Sequence, residues 1–193
     1  GTYKYIPYNK VFRRTELIDI EGYGKFEGYA NRDSLKYRKV YELENIGTMF
    51  RGTLRRPGYG RAWDAFVQLG ATDDSYTIPN SKELTFRSFI NLFLPYNPHD
   101  SVELKFRHYL NMAHDDIELF EKYEWLDLFK EIPVEIENAT PAQILQQILM
   151  RKWELAEGDK DMIVMWHKFI YTKNGKRFEK HSSMVVKGDD QIH

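Results

Sequence analysis

The fold class is decided by the stretch at residues 161–187, which reads DMIVMWHKFIYTKNGKRFEKHSSMVVK. In Asp161–Tyr171 the period of two of a β-strand would place Met162, Val164 and Trp166 on one face and Ile163, Met165, His167 and Phe169 on the other. Asn174-Gly175 is the residue pair that a tight type I′ turn prefers, because both of its central positions need a positive φ. Arg177–Lys187 returns as a second strand, so the sequence predicts a β-hairpin at this end of the chain.

Helix signals dominate the middle of the chain, upstream of this hairpin. Thr140-Pro141 is a strong helix start, because threonine can cap free N–H groups and proline suits the first helical position. The helix that it begins carries apolar residues at helical spacing up to Trp153. Four further helices are predicted at 61–69, 86–94, 102–112 and 117–129.

The first third of the chain reads as short strands and turns around one helix. Asp33 and Ser34 are suitable N-cap residues for a helix over 35–43, and a strand is predicted over 48–55. Strands at both ends of a chain with helices between them are typical of an α+β fold. We therefore predict a mixed, largely antiparallel β-sheet covered by helices.

Composition narrows the class of function. Hydrophobic residues make up 42% of the 193 residues, and the formal net charge of -1 does not indicate a nucleic-acid partner. The absence of cysteine removes thiolate catalysis and Cys-based metal sites. The six histidines have no metal-ligand spacing, and no apolar run reaches the ~20 residues of a membrane helix. We expect no metal, no nucleic acid and no membrane as a partner.

A dinucleotide-binding loop is not predicted either. Gly22-Tyr23-Gly24 begins like the pattern G-x-G-x-x-G, but the next glycine, Gly28, comes one residue too late. No helix signal follows it, so the backbone would not present the N–H groups that hold a pyrophosphate.

One arrangement of residues has the chemistry of a carboxylate site. Arg51, Thr53 and Arg55 share one face of the predicted strand, because residues two apart point the same way. Residues 31–34 would begin the predicted helix, where free N–H groups favour an anion. Arginine binds a carboxylate through two parallel hydrogen bonds. The alternative is that these arginines pair with neighbouring surface carboxylates, and the residue types leave both interpretations open.

Three runs of sequence resemble the C-terminal substrate domain of saccharopine dehydrogenases: YANRDS at 29–34, FRGTLRRPGY at 50–59 and WDAFVQLG at 63–70. The resemblance continues at 161–165 and 182–190 and is thin over 72–139. It implies one substrate-binding and dimerising domain over 1–193, with a helical insertion at about 72–158. Because the chain starts without Met and ends on a half-formed element, we expect it to be a piece of a longer protein.

The resemblance also implies a reaction. In the family, an N-terminal Rossmann domain binds NADP(H), and this domain is missing from the present chain. The glutamate-forming enzymes condense an aminoadipate semialdehyde with glutamate, and hydride reduces the resulting imine to saccharopine in lysine metabolism. We expect the complete protein to be a cytoplasmic homodimer of this kind, and the present chain to bind no NADP(H) and to be inactive alone.

The same resemblance assigns substrate-binding residues. Arg32, Thr53, Leu54 and Arg55 match positions that contact the substrate, which would be a dicarboxylic amino acid. Asn31, Ser34 and Arg51 are added to this set as their neighbours. The resemblance assigns no catalytic acid or base, because the family's proton-transfer groups lie mainly in the missing domain.

Two other functions stay open at this point. Arg56 stands where the family often has an aromatic residue, and an additional cation there could change which substrate fits. The first alternative is therefore a carboxylated-polyamine dehydrogenase of the same family. The second is a binding or dimerisation module that kept the fold and lost the chemistry.

Overall fold

The computed structural model describes residues 4–31 and 33–188 and confirms the α+β class. The chain forms two compact units. The strand unit contains 15–31, 33–57 and 155–188, and the helical unit contains Lys4–Arg14 and Gly58–Glu154. The elements in chain order are α1 (Tyr8–Val11), β1 (Glu16–Ile20), β2 (Gly24–Ala30), α2 (Tyr37–Val40), β3 (Gly52–Arg55), α3 (Tyr59–Leu69), a 3₁₀ turn (Ser81–Glu83), α4 (Phe86–Leu92), α5 (Val102–Tyr109), α6 (Ile117–Trp125), α7 (Pro141–Trp153), β4 (Met162–Lys173) and β5 (Lys176–Lys187).

The first sheet of the strand unit has the order β1-β2-β3, and both of its pairings are antiparallel. Ile18 lies opposite Phe26, and Gly28 lies opposite Leu54. Paired residues project to the same face, and this face is the buried one, since Ile20 is 1% and Phe26 is 3% exposed. The register therefore sends the alternate residues, including Thr53 and Arg55, to the other face.

The hairpin predicted at the end of the chain is confirmed as β4 and β5, which form a separate two-stranded sheet. Asn174 has a φ of 52° and Gly175 a φ of 73°, as the predicted turn requires. The strand directions and the sheet arrangement differ from the prediction of one mixed sheet. Within the described part of the chain, every strand pairing is antiparallel, and the strands form two sheets rather than one mixed sheet.

The helix predicted over 35–43 is only the single turn α2, and the strand predicted over 48–55 shortens to β3. No residue of α2 is buried, so no apolar face stabilises a longer helix. The two predicted caps also act differently. Asp33 Oδ1 accepts a hydrogen bond from the N–H of Leu35 at 2.9 Å, whereas the Ser34 hydroxyl is engaged with the backbone of Arg51.

The predicted helices of the helical unit are confirmed, but three of them end earlier than expected. α4 ends at Leu92 rather than Leu94. α5 ends at Tyr109 rather than Met112, and α6 ends at Trp125 rather than 129. Asn111 and Asp127 take left-handed φ values of 50° and 62°, which cannot continue a helix. The next N–H after each of them donates back into the helix, so these residues act as C-terminal stops.

The N-caps predicted for α4, α5 and α7 are confirmed. The hydroxyl of Thr85 accepts from the Ser88 N–H, and that of Ser101 accepts from the Leu104 N–H. Thr140 and Gln143 form a reciprocal capping box at the start of α7.

An aromatic core holds the helical unit together. Phe86 and Phe106 are fully buried, and the Phe106 ring lies 5.1 Å from the ring of Tyr123 and 5.2 Å from that of Phe129, in edge-to-face geometry. Such pairs contribute about 0.5–1.5 kcal/mol each beyond the burial of their area. Across 4–31 and 33–188, every helix is too short or too polar to cross a bilayer.

Candidate functional site

The predicted substrate residues fall on the strand unit, mainly on the face of the β1-β2-β3 sheet opposite to Ile20 and Phe26. Thr53 lies opposite Tyr29, and Arg55 lies opposite Glu27. Arg51 directly precedes β3, and the Asn31 N–H donates to its carbonyl at 3.0 Å. This bond extends the β2–β3 pairing by one residue, so Arg51 lies on the same face as Thr53 and Arg55. We call Glu27, Tyr29, Arg51, Thr53 and Arg55 the polar face. It combines two guanidinium groups, two hydroxyls and one carboxylate, a set that suits a charged, hydrogen-bonding ligand.

Leu54 lies on the opposite face of the same strand. A Cβ placed on Gly28 would lie 3.3 Å from Leu54 Cδ2 and 3.4 Å from Ile18 Cδ1, so these two side chains pack across the glycine. The side chain of Leu54 therefore belongs to the buried face, and only its backbone borders Thr53 and Arg55. The period of two in a strand would have separated Leu54 from its neighbours at the outset.

Asn31 and Ser34 are hydrogen-bonded to the backbone beside the start of β3. In addition to the bond from Asn31, the Arg51 N–H donates to Ser34 Oγ at 3.1 Å. Arg32 lies outside the described residues. The geometry brings Asn31, Ser34 and Arg51 together, whereas Arg55 is at the other end of β3, about 13 Å away at ~3.3 Å per residue.

The Arg51 guanidinium is stacked on an aromatic ring that sequence reasoning had not included in the site. Its Cζ lies 3.6 Å from the centre of the Tyr37 ring, and Tyr37 in turn stacks on Tyr41 with their centroids 5.6 Å apart. Stacking orients the guanidinium and leaves its N–H edge directed sideways for hydrogen bonding. The four-residue spacing of these two tyrosines in the predicted helix was the signal that could have identified this support.

The Arg56 side chain makes its contacts on the buried side of the sheet. Its Nη1 donates to the carbonyl of Tyr23 at 2.9 Å, and its Cζ lies 4.5 Å from the centre of the Phe26 ring. The guanidinium thus covers the buried ring of Phe26 and is hydrogen-bonded to the β1–β2 turn. This packing gives a structural reason for an arginine at this position.

A dinucleotide does not fit the glycines of the strand unit. Gly22 and Gly24 occupy the turn between the antiparallel strands β1 and β2, and Gly28 lies inside β2. A pyrophosphate cradle needs a strand, a glycine-rich turn and then a helix, with a parallel strand following. Among the residues that the structure describes, the strands supply no parallel pair, and no group of three or more His, Asp or Glu side chains could hold a metal.

Comparison with known proteins identifies sequence relatives over most of the chain. The family described as "Saccharopine dehydrogenase C-terminal domain" matches residues 1–192. The mitochondrial alpha-aminoadipic semialdehyde synthase of Rattus norvegicus is 34% identical over 170 residues, which cover 84% of this chain and 18% of that protein. The saccharopine dehydrogenase (NADP(+), L-glutamate-forming) of Schizosaccharomyces pombe is 26% identical over 201 residues, which cover 93% of this chain and 44% of that protein.

A solved structure shares the fold. Apo histidine-tagged saccharopine dehydrogenase (L-Glu forming) from Saccharomyces cerevisiae matches with a TM-score of 0.78 and 21% sequence identity, over 94% of this chain and 42% of that chain. The chain thus spans less than half the length of these relatives.

Proposed function

The chain belongs to the saccharopine dehydrogenase C-terminal domain family, and on this basis we propose that it is the substrate-binding domain of an NADP-dependent oxidoreductase of lysine metabolism. The proposed reaction reduces the imine formed between aminoadipate semialdehyde and glutamate, which yields saccharopine. The name of the Schizosaccharomyces pombe relative, with NADP(+) as cofactor and L-glutamate as product, describes the same reaction in the reverse direction and supports this assignment.

The observation that carries the proposal is the hydrogen bonding of Asn31 and Ser34 to the backbone of Arg51 at one end of the polar face. Saccharopine bears several carboxylates, and each suits the planar fork of an arginine. In the proposal, Arg32, Arg51 and Arg55 bind carboxylates. Thr53 and Asn31 supply neutral hydrogen bonds. Ser34 accepts from the Arg51 N–H and keeps its own hydroxyl proton for donation.

NADPH would supply the hydride of the proposed reaction, and we place its binding on a further domain of the complete protein. In the described part of the chain the glycines do not form a phosphate cradle. In the proposal, the residues of this chain bind and orient the substrate. The chain alone should therefore show no dehydrogenase activity. Calorimetry that detects micromolar NADPH binding to the isolated chain would contradict this division of roles.

The homodimer and the cytoplasmic location are also proposals. The seven large apolar side chains on one face of the β4–β5 hairpin are each 40–56% exposed, which is compatible with a surface that a second copy covers. Light scattering that shows a monomer at high protein concentration would contradict the dimer.

The assignment is tested by titrating saccharopine into the chain and following backbone amides by NMR. We expect shifts at 31–34 and 51–55, and a loss of affinity of about tenfold in Arg55→Ala, because one charge-assisted contact is removed. Arg14→Ala is the control, since it removes an exposed arginine of the helical unit. Equal losses in both variants would contradict the site, and tighter binding of a carboxylated polyamine would favour that alternative substrate.

A further inference from the structure

The helical unit contains a cavity that the proposed function does not use. Its volume is about 310 Å³, and its lining includes Arg13, Asp64, Leu110, Met112 and Leu119. This volume is at the small end of the range for ligand pockets, roughly 300–1,000 Å³. It therefore suits a metabolite of amino-acid size and is too small for a dinucleotide.

One wall of the cavity carries an ion pair with unused hydrogen-bonding capacity. Arg13 Nε lies 2.8 Å from Asp64 Oδ2, and Gln68 Nε2 donates to Asp64 Oδ1 at 3.1 Å. Each carboxylate oxygen can accept a second hydrogen bond. Among the interactions of the described residues, Arg13 uses only its Nε, so the four N–H groups of its terminal nitrogens remain for a ligand.

The other wall of the cavity is apolar. The half-buried side chains of Leu110, Met112 and Leu119 line it, beside the buried ring of Tyr123. The Tyr123 hydroxyl donates to the carbonyl of Ala62 at 3.0 Å, so its hydrogen is already committed. Methionine adapts its shape to different apolar ligands, because three of its bonds rotate.

The charge balance of the lining favours a zwitterion over a dianion. Arg61 also lines the cavity, but both of its terminal nitrogens are bonded to Asp116. Arg13 and Asp64 are thus left as one adjacent cation and anion. A ligand that matches them carries one carboxylate and one ammonium, close to an apolar group.

We propose that this cavity binds a free α-amino acid with an apolar side chain. The ligand carboxylate bonds to the terminal nitrogens of Arg13, the ammonium bonds to Asp64, and the side chain packs against Leu110, Met112 and Leu119. This site is independent of the proposed function, whose dicarboxylic substrate belongs to the polar face of the strand unit.

The test is a titration of the chain with L-leucine, followed by amide NMR. We expect shifts at the cavity residues, and at least about tenfold weaker binding of 4-methylpentanoate and of 3-methylbutylamine, because each lacks one of the two charged groups. No shifts at millimolar leucine would overturn the proposal. Equal affinity of leucine and 4-methylpentanoate would overturn the role of Asp64 and hence the amino-acid class.

Variants of the cavity distinguish a loss of leucine binding from a loss of protein stability. Arg13→Ala and Asp64→Asn should each weaken leucine binding at least about tenfold, whereas Arg14→Ala, which alters the neighbouring exposed arginine, should leave it unchanged. Met112→Trp fills the cavity and leaves the ion pair intact, so it should abolish binding without lowering the melting temperature by more than a few degrees. Unchanged leucine affinity in Met112→Trp would overturn the proposal even if the Arg13 variant failed to fold.

Discussion

The helical unit and the strand unit differ in where they place their apolar side chains. Among the described residues, the buried hydrophobic side chains lie in the helical unit except for Ile20 and Phe26. The strand unit instead carries the half-buried polar face and exposes large apolar residues such as Phe169, which is 54% exposed. The helical unit therefore has a core of its own, whereas the strand unit is mostly surface. We infer that stability is determined mainly in the helical unit and substrate recognition in the strand unit.

The strongest test of this division is Phe106→Ala in the helical core. Phe106 is fully buried between the rings of Tyr123 and Phe129. We expect the free energy of unfolding to fall by about 3–5 kcal/mol, because the substitution removes apolar area and leaves a cavity. Urea denaturation followed by circular dichroism measures the change.

The matched control is Phe169→Ala in the hairpin. Phe169 is about half exposed, so we expect a loss of less than ~1 kcal/mol. A comparable loss in the two variants would show that the strand unit contributes as much to stability as the helical unit, and the division would be wrong.

The second test is Arg32→Ala in the complete enzyme. The loss of one or more charge-assisted hydrogen bonds should weaken substrate binding by roughly tenfold to a hundredfold, since ~1.4 kcal/mol is a factor of ten. Arg32→Lys should recover part of this affinity, because a point charge cannot reproduce the planar fork. Calorimetry and thermal melts should be run on the same samples. Unchanged affinity with a lowered melting temperature would make Arg32 a structural residue.

Thr140→Ala examines the opposite case, a loss of stability with no loss of affinity. The Thr140 hydroxyl accepts from the Gln143 N–H at 3.2 Å, and Gln143 Oε1 accepts from the Thr140 N–H at 2.8 Å. Removal of this capping box should cost about 1 kcal/mol. Thr53→Ala on the polar face is the counterpart, and we expect it to lower saccharopine affinity while the unfolding midpoint stays unchanged. A loss of affinity in Thr140→Ala together with a loss of stability in Thr53→Ala would contradict the division of stability and recognition between the two units.

The smallest expected effect concerns pH. Lys130 and Lys152 lie 2.6 and 3.1 Å from the carboxylate of Asp127, and hydrogen bonding, first with Lys130, lowers the pKa of Asp127 below its ordinary value of 3.8. Because the folded pKa is the lower one, the stabilisation is complete above about pH 5 and is lost as the pH falls through the folded pKa.

Asp127→Asn removes this charge and keeps a residue that tolerates the left-handed φ of 62°. We expect a loss of about 0.5–1 kcal/mol at pH 7 that disappears near pH 2. Denaturant melts across this range measure it. In the hairpin, Glu179→Gln should have a smaller effect because Glu179 is more exposed. A loss that stays constant with pH would mean that the carboxylate does not act through its charge.

The features that the sequence predicted correctly depend on residues close together in the chain. The Asn174-Gly175 turn and the caps at Thr85, Ser101 and Thr140 each involve groups within about four residues. Their geometry is therefore determined by local hydrogen bonds and allowed φ values, which the residue types specify.

The features that the sequence did not predict depend on partners far along the chain. Whether a helix continues past Val40 depends on a buried face that α2 lacks. The role of Arg56 depends on Phe26 and Tyr23, about thirty residues earlier. In the candidate site, Arg51 and Thr53 were assigned to one face by their spacing, but the stacking of Arg51 on Tyr37 required the fold.

The β4–β5 hairpin has a consequence for the order of events during folding. Its strands are joined by a two-residue turn, so it can form within ~1–10 μs, whereas the helical core joins distant residues such as Phe86 and Ile132. We expect the hairpin to be complete while the core is still open, when its apolar face could associate with other nascent chains. Lysines along both strands oppose that association by like-charge repulsion, and they include Lys168, Lys173, Lys176, Lys180 and Lys187. Because salt screens this repulsion, the yield of refolding should fall as ionic strength rises, even though the folded protein is unaffected.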